Sequence, residues 1–291
     1  MNGILNIFKN KGMSSFDVVR KIKFLAHEKK VGHTGTLDPE ATGVLPVCLG
    51  KATKTIDYIM NSNKVYEVKF LLGVKTTTYD LEGEITEKKD ISHISENEVK
   101  DVAINFIGEY DQVPPMYSAL KKNGVRLYEL ARQGIEIERE ARRINILDIS
   151  NLKINLPYAT MKVTCSKGTY IRSLCYDIGE KLGVGATMVE LNRCETSVFK
   201  QENSVNIDEL TEENIQDYII SIEDALAFYP KLTVKSSFTK LLINGVRVFD
   251  KRLTDENRKI GLLYRVYDTD GIFIGLGKQE EEGFKIEKLL L

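Results

Sequence analysis

The sequence predicts an α+β protein with a mixed or antiparallel central sheet, flanking helices and a small β-rich C-terminal appendage. Three observations carry this. Lys64–Phe70, KVYEVKF, alternates so that Tyr66, Val68 and Phe70 share one face, the period of a half-buried strand. Helix-start signals stand before two segments, at Ser14-Ser15-Phe16-Asp17 and at Ser95. After Tyr229-Pro230 the composition shifts to short strand candidates with glycines between them, such as Leu262–Val266 and Ile272–Gly275.

Taken in order, Ile4–Phe8 reads as a short strand. Ser14 or Ser15 then caps a helix, with Asp17 replacing the usual Glu of a capping box. Phe16, Val19, Ile22 and Phe24/Leu25 recur at helical spacing and predict its apolar face. The stretch GHTGTLDPEATGVL, 32–45, is too rich in glycine, threonine and proline for a core element and reads as a loop holding Asp38. Val44–Gly50 is a strand candidate and Lys51–Met60 a helix. Thr76–Gly83 is polar and turn-rich. Ser95 caps a helix expected to run through Ile107. Val113–Ser118 is extended, because each proline restricts itself and the residue before it. Leu127–Arg132 is a helix stopped by Gly134. Strands follow near 143–154 and 159–165, then a Ser166-Lys167-Gly168 turn, a helix over 169–182 and a strand near 186–191.

With 291 residues, 42% hydrophobic and 29% charged, the chain can bury a real core as one large domain, or as one domain plus a small one. No apolar run reaches about 18 residues, so no transmembrane helix is expected. The opening MNGILNIFKNKGMSS lacks a long apolar region and a small-residue cleavage site, which predicts a cytoplasmic address. Cys48, Cys165, Cys175 and Cys194 form no CxxC pair, and His27, His33 and His93 are scattered. Reduced, mostly buried thiols and no zinc site are expected.

Net charge is only −1, yet it is unevenly spread. Residues 1–70 carry 11 Lys/Arg against 6 Asp/Glu, and residues 116–185 carry 12 against 7. Between them, residues 71–115 carry 4 against 10, and the last stretch, 186–291, carries 14 against 19. A fold that joined the two basic blocks would present a face for nucleic acid, although any surface has charge clusters.

Three segments stand out chemically, each with a plainer reading beside it. Asp38 on its Gly/Thr loop is either a turn or cap residue or an acid presented to a ligand. A phosphate-binding loop fails for want of a Gly-Lys-Ser/Thr at the right spacing. An aspartyl-phosphate enzyme would place a second Asp where Glu40 stands. Arg172, in CSKGTYIR, falls in the first turn of its helix and opposes the helix dipole. It is either solvated or in need of an anion. Tyr117–Arg126, YSALKKNGVR, is either an exposed basic loop or a surface for phosphates and sugars.

Together these stretches resemble the TruB family, the tRNA pseudouridine-55 synthases. The likeness lies in GHTGTLDPEATGVLPVCLGKATK (32–54), VYEV (65–68), PPMYSALKKNGVRLYELARQGIEIEREAR (114–142) and CSKGTYIRSLCYDIGEKLG (165–183), in the family's order and spacing. It departs where Lys9 is followed by Asn10 instead of proline, which puts the rigidity of that loop in doubt. The resemblance implies a pseudouridine synthase catalytic domain over 1–228, with 115–143 as an RNA-clasping loop, and a PUA-like domain over 229–291. It implies isomerisation of one uridine in the tRNA T-loop to pseudouridine, with no cofactor, no metal and no protein partner. A role in assisting tRNA folding comes with it.

By the same resemblance Asp38 is the catalytic aspartate, acting on the ribose as nucleophile or as base. Tyr66 is the active-site tyrosine, whose ring stacks on the extruded base. Arg172 pairs with the aspartate, and its planar, permanently charged fork orients the carboxylate. His33 helps fill the space vacated by the flipped base. Lys9 and Leu191 brace or line the pocket, Asp80 lines it with a polar group, and Tyr170 is counted among the RNA-binding residues.

Overall fold

The computed structural model describes residues 1–122 and 124–291. Asn123, inside the basic segment singled out above, lies outside the described residues. In chain order the N-terminal elements are β1 (Gly3–Lys9), α1 (Ser15–Leu25), β2 (Val31–His33), β3 (Thr42–Leu49), α2 (Ile56–Met60) and β4 (Lys64–Leu72). There follow β5 (Val74–Thr76), β6 (Ile85–Lys88), α3 (Glu96–Ile104), β7 (Gly108–Gln112), β8 (Lys121–Lys122), β9 (Val125–Arg126) and α4 (Leu127–Arg132). The long elements β10 (Arg142–Asn155), β11 (Tyr158–Cys165), α5 (Ile171–Lys181) and β12 (Ala186–Thr196) come next. The remainder holds β13 (Phe199–Lys200), β14 (Val205–Asn206), β15 (Ile219–Ile220), α6 (Ile222–Ala225), β16 (Lys231–Thr233), α7 (Ser236–Ile243), β17 (Leu263–Tyr267), β18 (Phe273–Glu280) and β19 (Gly283–Leu289). Parallel pairs (β1 with β14, β3 with β12) stand among antiparallel ones, so the fold is α+β with mixed pairing, as expected.

The chain divides into two compact units: Met1–Asp38, Val44–Asn61 and Ser197–Leu291 form one, and Pro39–Gly43 with Ser62–Thr196 form the other. In the first, β1 lies beside β3, β14 and β15 flank β1, and β2 runs antiparallel to β3 with His33 opposite Val47. Ile4, Val44, Cys48, Ile59, Phe199, Leu226 and Leu276 share one core. The C-terminal sheet, ordered β16-β17-β18-β19, has a second core around Leu232, Val266, Ile274 and Phe284. This small β-domain fits the PUA-like expectation.

In the second unit the order is β12-β4-β11-β10-β7. The alternation read in the sequence holds: Lys64, Tyr66, Val68, Phe70 and Leu72 are the buried face of β4. The Ser95 capping box forms with Glu98, but α3 ends at Ile104, short of Ile107, with Asn105 as its C-cap. The segment after Leu49 is a 3-10 turn, Gly50–Thr55, before the single α-turn of α2.

One sequence expectation is corrected. Ser14 caps α1 and forms the box with Asp17, but the apolar face of the helix is Val18, Val19, Ile22 and Ala26. Phe16 and Phe24 are 65% and 68% exposed. At about 100° per residue, residues 15, 18, 19, 22 and 26 cluster on one side, while 16, 20 and 24 fall on the other. An i+3 repeat from Phe16 through Val19 and Ile22 drifts about 60° per step around the helix, so spacing by three does not keep Phe16 on the buried side.

Candidate active site

Asp38 is half-buried, on the loop between β2 and β3. The loop leaves β2 in register: Thr34 N–H donates to Pro46 O at 3.0 Å, and Gly35 N–H reaches His33 Nδ1 at 3.3 Å. Leu37, just before the acid, is buried and doubly held by one hydroxyl. Ser15 Oγ accepts from Leu37 N–H at 2.8 Å and donates to Leu37 O at 3.1 Å. The Ser14-Ser15 pair therefore divides its labour, since Ser14 caps α1 while Ser15 turns inward to the loop. Lys9 braces the turn that delivers them. Its fully buried ammonium donates to Asn10 O (2.9 Å) and Met13 O (2.7 Å), as a buried charge must.

The downstream flank of the loop belongs to the other unit. Gly43 has φ +110°, and a Cβ there would collide with the backbone of Arg193, so only glycine fits. Thr42 Oγ1 donates to Asn192 Oδ1 at 3.1 Å. Residues 37 and 43 are thus both fixed through contacts that involve no net charge.

Arg172 is the second residue of α5, whose N-cap is Tyr170 and whose first turn has no acid. Asp80 is an anion beside this helix start: its Oδ2 lies 3.3 Å from Arg172 Nη1. The same nitrogen donates to Thr78 O at 3.2 Å, and Nη2 donates to Tyr117 O at 2.7 Å. Asp80 is further held by the Thr78 hydroxyl and by Glu82 N–H at 3.1 Å. Tyr79, between them, adopts φ +66° and stacks on Tyr176 with ring centroids 4.1 Å apart.

Tyr170 is the N-cap of α5, and its side chain makes no capping bond to the helix. Gln112 compensates: its Oε1 accepts from Tyr170 N–H at 2.8 Å and its Nε2 donates to Tyr170 O at 3.1 Å. Ser173 Oγ adds a bond to Val113 O at 2.9 Å, so residues 112–117 are strapped along the head of the helix. Gln112 Nε2 also donates to Tyr110 Oη (2.7 Å), whose hydroxyl faces Asp177 Oδ2 at 3.4 Å. Burial pushes Asp177 up to about 6. The sequence marked Ser15 only as an alternative cap of α1 and did not mark Gln112. A serine pair where one cap suffices is a signal for the first; no local pattern marks the second.

Tyr66 is buried on β4, opposite Val163 of β11 and Arg193 of β12. Leu191, half-buried, pairs with Val68, so Tyr66, Leu191 and Arg193 share one sheet face. Arg193 is fully buried, and burial together with this guanidinium lowers the Lys64 ammonium to about 8. The structure groups Tyr66 with Leu191, groups Arg172, Asp80 and Tyr170 around the head of α5, and holds Lys9, His33 and Asp38 in the other unit.

The basic segment is exposed at Lys121, Lys122 and Arg126. Tyr128 carries Arg126 and Arg132 over its ring, at 5.8 and 5.4 Å from the centroid. Among the described residues, no group of three or more His, Cys, Asp or Glu is placed to hold a metal ion, and no helix is long and apolar enough to cross a membrane.

Comparison with known proteins now bears on this geometry. Residues 23–171 match the family model of the N-terminal domain of TruB family pseudouridylate synthases, and residues 172–227 that of the tRNA pseudouridylate synthase B C-terminal domain. The chain is 61% identical over 292 residues to tRNA pseudouridine synthase B of Clostridium perfringens (strain SM101 / Type A), covering 100% of this chain and 99% of that protein. It is 57% identical over 291 residues to the Clostridium tetani protein of the same name, covering 100% of both. Among solved structures, a chain of a Cbf5-Nop10-Gar1 complex matches with a TM-score of 0.76 and 28% identity, over 99% of this chain and 85% of that one. A chain of an H/ACA RNP bound to a substrate RNA containing 2'-deoxyuridine matches with a TM-score of 0.75 and 26% identity, over 99% and 85%.

Proposed function

The chain belongs to the TruB family of pseudouridylate synthases, and on that footing we propose that it is a tRNA pseudouridine-55 synthase acting on the T-arm in the cytoplasm. The observation that carries the chemical reading is the Asp38 loop, whose backbone is held on both flanks while the acid remains half-exposed.

In this reading the N1–C1′ bond of one uridine breaks, the uracil turns while held, C5 bonds to C1′, and C5 gives up its proton while N1 takes one up, so that substrate and product are isomers. One bond to the ribose replaces another, so the reaction calls for no redox cofactor; the reading also includes no protein partner. Asp38 meets the sugar, either attacking C1′ or removing the C2′ proton. A uridine stacked in a folded loop must first be flipped out. Tyr66 stacks on the extruded base, a contact worth about 1–3 kcal/mol. His33 helps fill the gap left behind. Arg172 orients Asp38 with a guanidinium whose five N–H groups also serve Asp80 and two carbonyls. Lys9, Leu191 and Tyr170 brace or line the pocket. Residues 115–143 clasp the T-arm, and the arginine-flanked Tyr128 suits that role. Residues 1–228 are the catalytic domain, 229–291 extend the RNA surface, and binding assists tRNA folding.

The test is to map pseudouridine in tRNA incubated with the purified protein and with Asp38→Asn. The wild type modifies the T-loop position. The variant binds tRNA and forms at least about 10²–10⁴-fold less pseudouridine. Modification by the variant at the wild-type rate removes Asp38 from the mechanism.

A further inference from the structure

Gln112 is 2% exposed, and both polar atoms of its side chain are bonded. Its carbonyl oxygen accepts from Tyr170 N–H, and its amide hydrogens go to Tyr170 O and to Tyr110 Oη. Tyr170 O also accepts Leu174 N–H at 3.1 Å, the bond that opens α5. Through the Tyr110 hydroxyl, which donates to Asp177 Oδ2, the same carboxamide is tied further along the helix. A buried polar group must be satisfied, but an apolar residue here would have needed no partner at all.

The other capped helices manage this bond locally. In α1 and α3 the N–H of the N-cap is held by the helix's own third residue, Asp17 and Glu98. In α5 that third position is Ser173, whose hydroxyl turns to Val113 O, and the Tyr170 N–H is left to Gln112, 58 positions away. Both substitutes join α5 to one stretch of chain, 112–117. Pro114 and Pro115 limit the freedom of that stretch. Its far end, Tyr117 O, accepts from Arg172 Nη2 at 2.7 Å. We propose that Gln112 is a positioning residue: by locking this stretch to the N-cap of α5, it sets where Tyr117 O holds the Arg172 guanidinium. The proposal deepens the synthase reading above, which assigns that guanidinium to Asp38, and rests on it.

The experiment compares the wild type with Gln112→Met, which keeps a side chain of similar length and removes all three bonds. Three quantities are read below the melting temperature of the variant. They are the single-turnover rate of pseudouridine formation at saturating tRNA, the dissociation constant for tRNA, and the NMR signal of Arg172 Nε–H, assigned by its disappearance in Arg172→Lys. The rate falls about ten- to a hundredfold, since misplacing a positioned group by about 1 Å suffices for a loss of that order. The dissociation constant holds, and the Arg172 signal moves or broadens. A merely structural role would lower the melting temperature and leave the rate and the signal unchanged, and that result overturns the proposal. So does a loss confined to the dissociation constant, which would make Gln112 part of the RNA surface. A slowed variant with an unmoved Arg172 signal also overturns it, because the effect would then run through another group. If Gln112→Met does not fold, Ser173→Ala removes only the neighbouring bond and is read the same way: a slower rate with a moved signal is expected, and a wild-type rate overturns the proposal. A wild type that forms no pseudouridine strikes the synthase reading, while the Arg172 signal still decides whether Gln112 positions that side chain.

Discussion

Asp38 sits on a loop whose flanks are held by neutral groups, whereas Arg172 sits on a helix whose first turn is held largely by charge. On the loop side, one serine hydroxyl grips both backbone groups of Leu37, and Gly43 lies against the Arg193 backbone. On the helix side, the guanidinium and the Asp80 carboxylate, 7% and 10% exposed, form an ion pair, and the guanidinium also donates to two carbonyls. The difference teaches where each half is vulnerable. Neutral hydrogen bonds contribute modestly and do not titrate. A buried charge pair is robust while whole, but leaves an uncompensated charge once halved.

The largest expected effect is therefore on the helix side. Asp80→Ala should destabilise the protein by about 3–5 kcal/mol in urea unfolding, because it removes one half of a buried ion pair. Adding Arg172→Met should recover part of that loss, since the second substitution removes the other half. Activity stays low in the double variant, in keeping with Arg172 orienting Asp38. A loss under about 1 kcal/mol for Asp80→Ala would mean that water reaches the pair, and the contrast drawn here would fail.

The loop side predicts a smaller effect of another kind. Ser15→Ala leaves the buried N–H and C=O of Leu37 without their hydroxyl partner, at a cost of about 1–3 kcal/mol. The acid loses its fixed position, so kcat falls while KM for tRNA holds. The pH–rate profile keeps its wild-type shape, because no charge has been removed. A shifted profile would show that Ser15 acts on ionisation and not on geometry.

The two halves also differ in how far they could be read from sequence. The loop was legible as a loop, Ser14 and Asp17 as a capping box, and β4 by its alternation, because each depends on residues a few positions apart. Arg172 announced the need for an anion through the helix dipole alone. The resemblance offered Asp38 as that anion; the pairing with Asp80 was not readable, since Asp80 lies 92 positions away and reaches Arg172 only by tertiary folding. Ser15 and Gln112 stayed hidden for the same reason: an inward hydroxyl and a carboxamide clamp look like any polar residue until their distant partners are known. Phe16 and Phe24 fit the approximate helical spacing of the apolar residues, yet at about 100° per residue they fall away from the side shared by Val18, Val19 and Ile22. The reach of β12 to Thr196, past the expected end near 191, follows from its pairing with β4 and from register shifts that no local pattern encodes.

If charge governs the head of α5, pH should be felt further along that helix and not in the Asp38 loop. Asp177 is the group to watch. Burial raises it to about 6 from 3.8, with the Tyr110 hydroxyl opposing the shift. A carboxyl raised in the folded state is more easily ionised in the unfolded chain. Its stabilising share is complete below about pH 4 and is lost as pH rises through about 6. Asp177→Asn keeps an acceptor for Tyr110 but cannot ionise. The variant should therefore melt a few degrees above the wild type at pH 7–8, and the gap should close as pH falls below 4. A gap that persists unchanged across that range would show that the substitution acts through packing, and the charge-held description of α5 would then stop at Arg172 and Asp80.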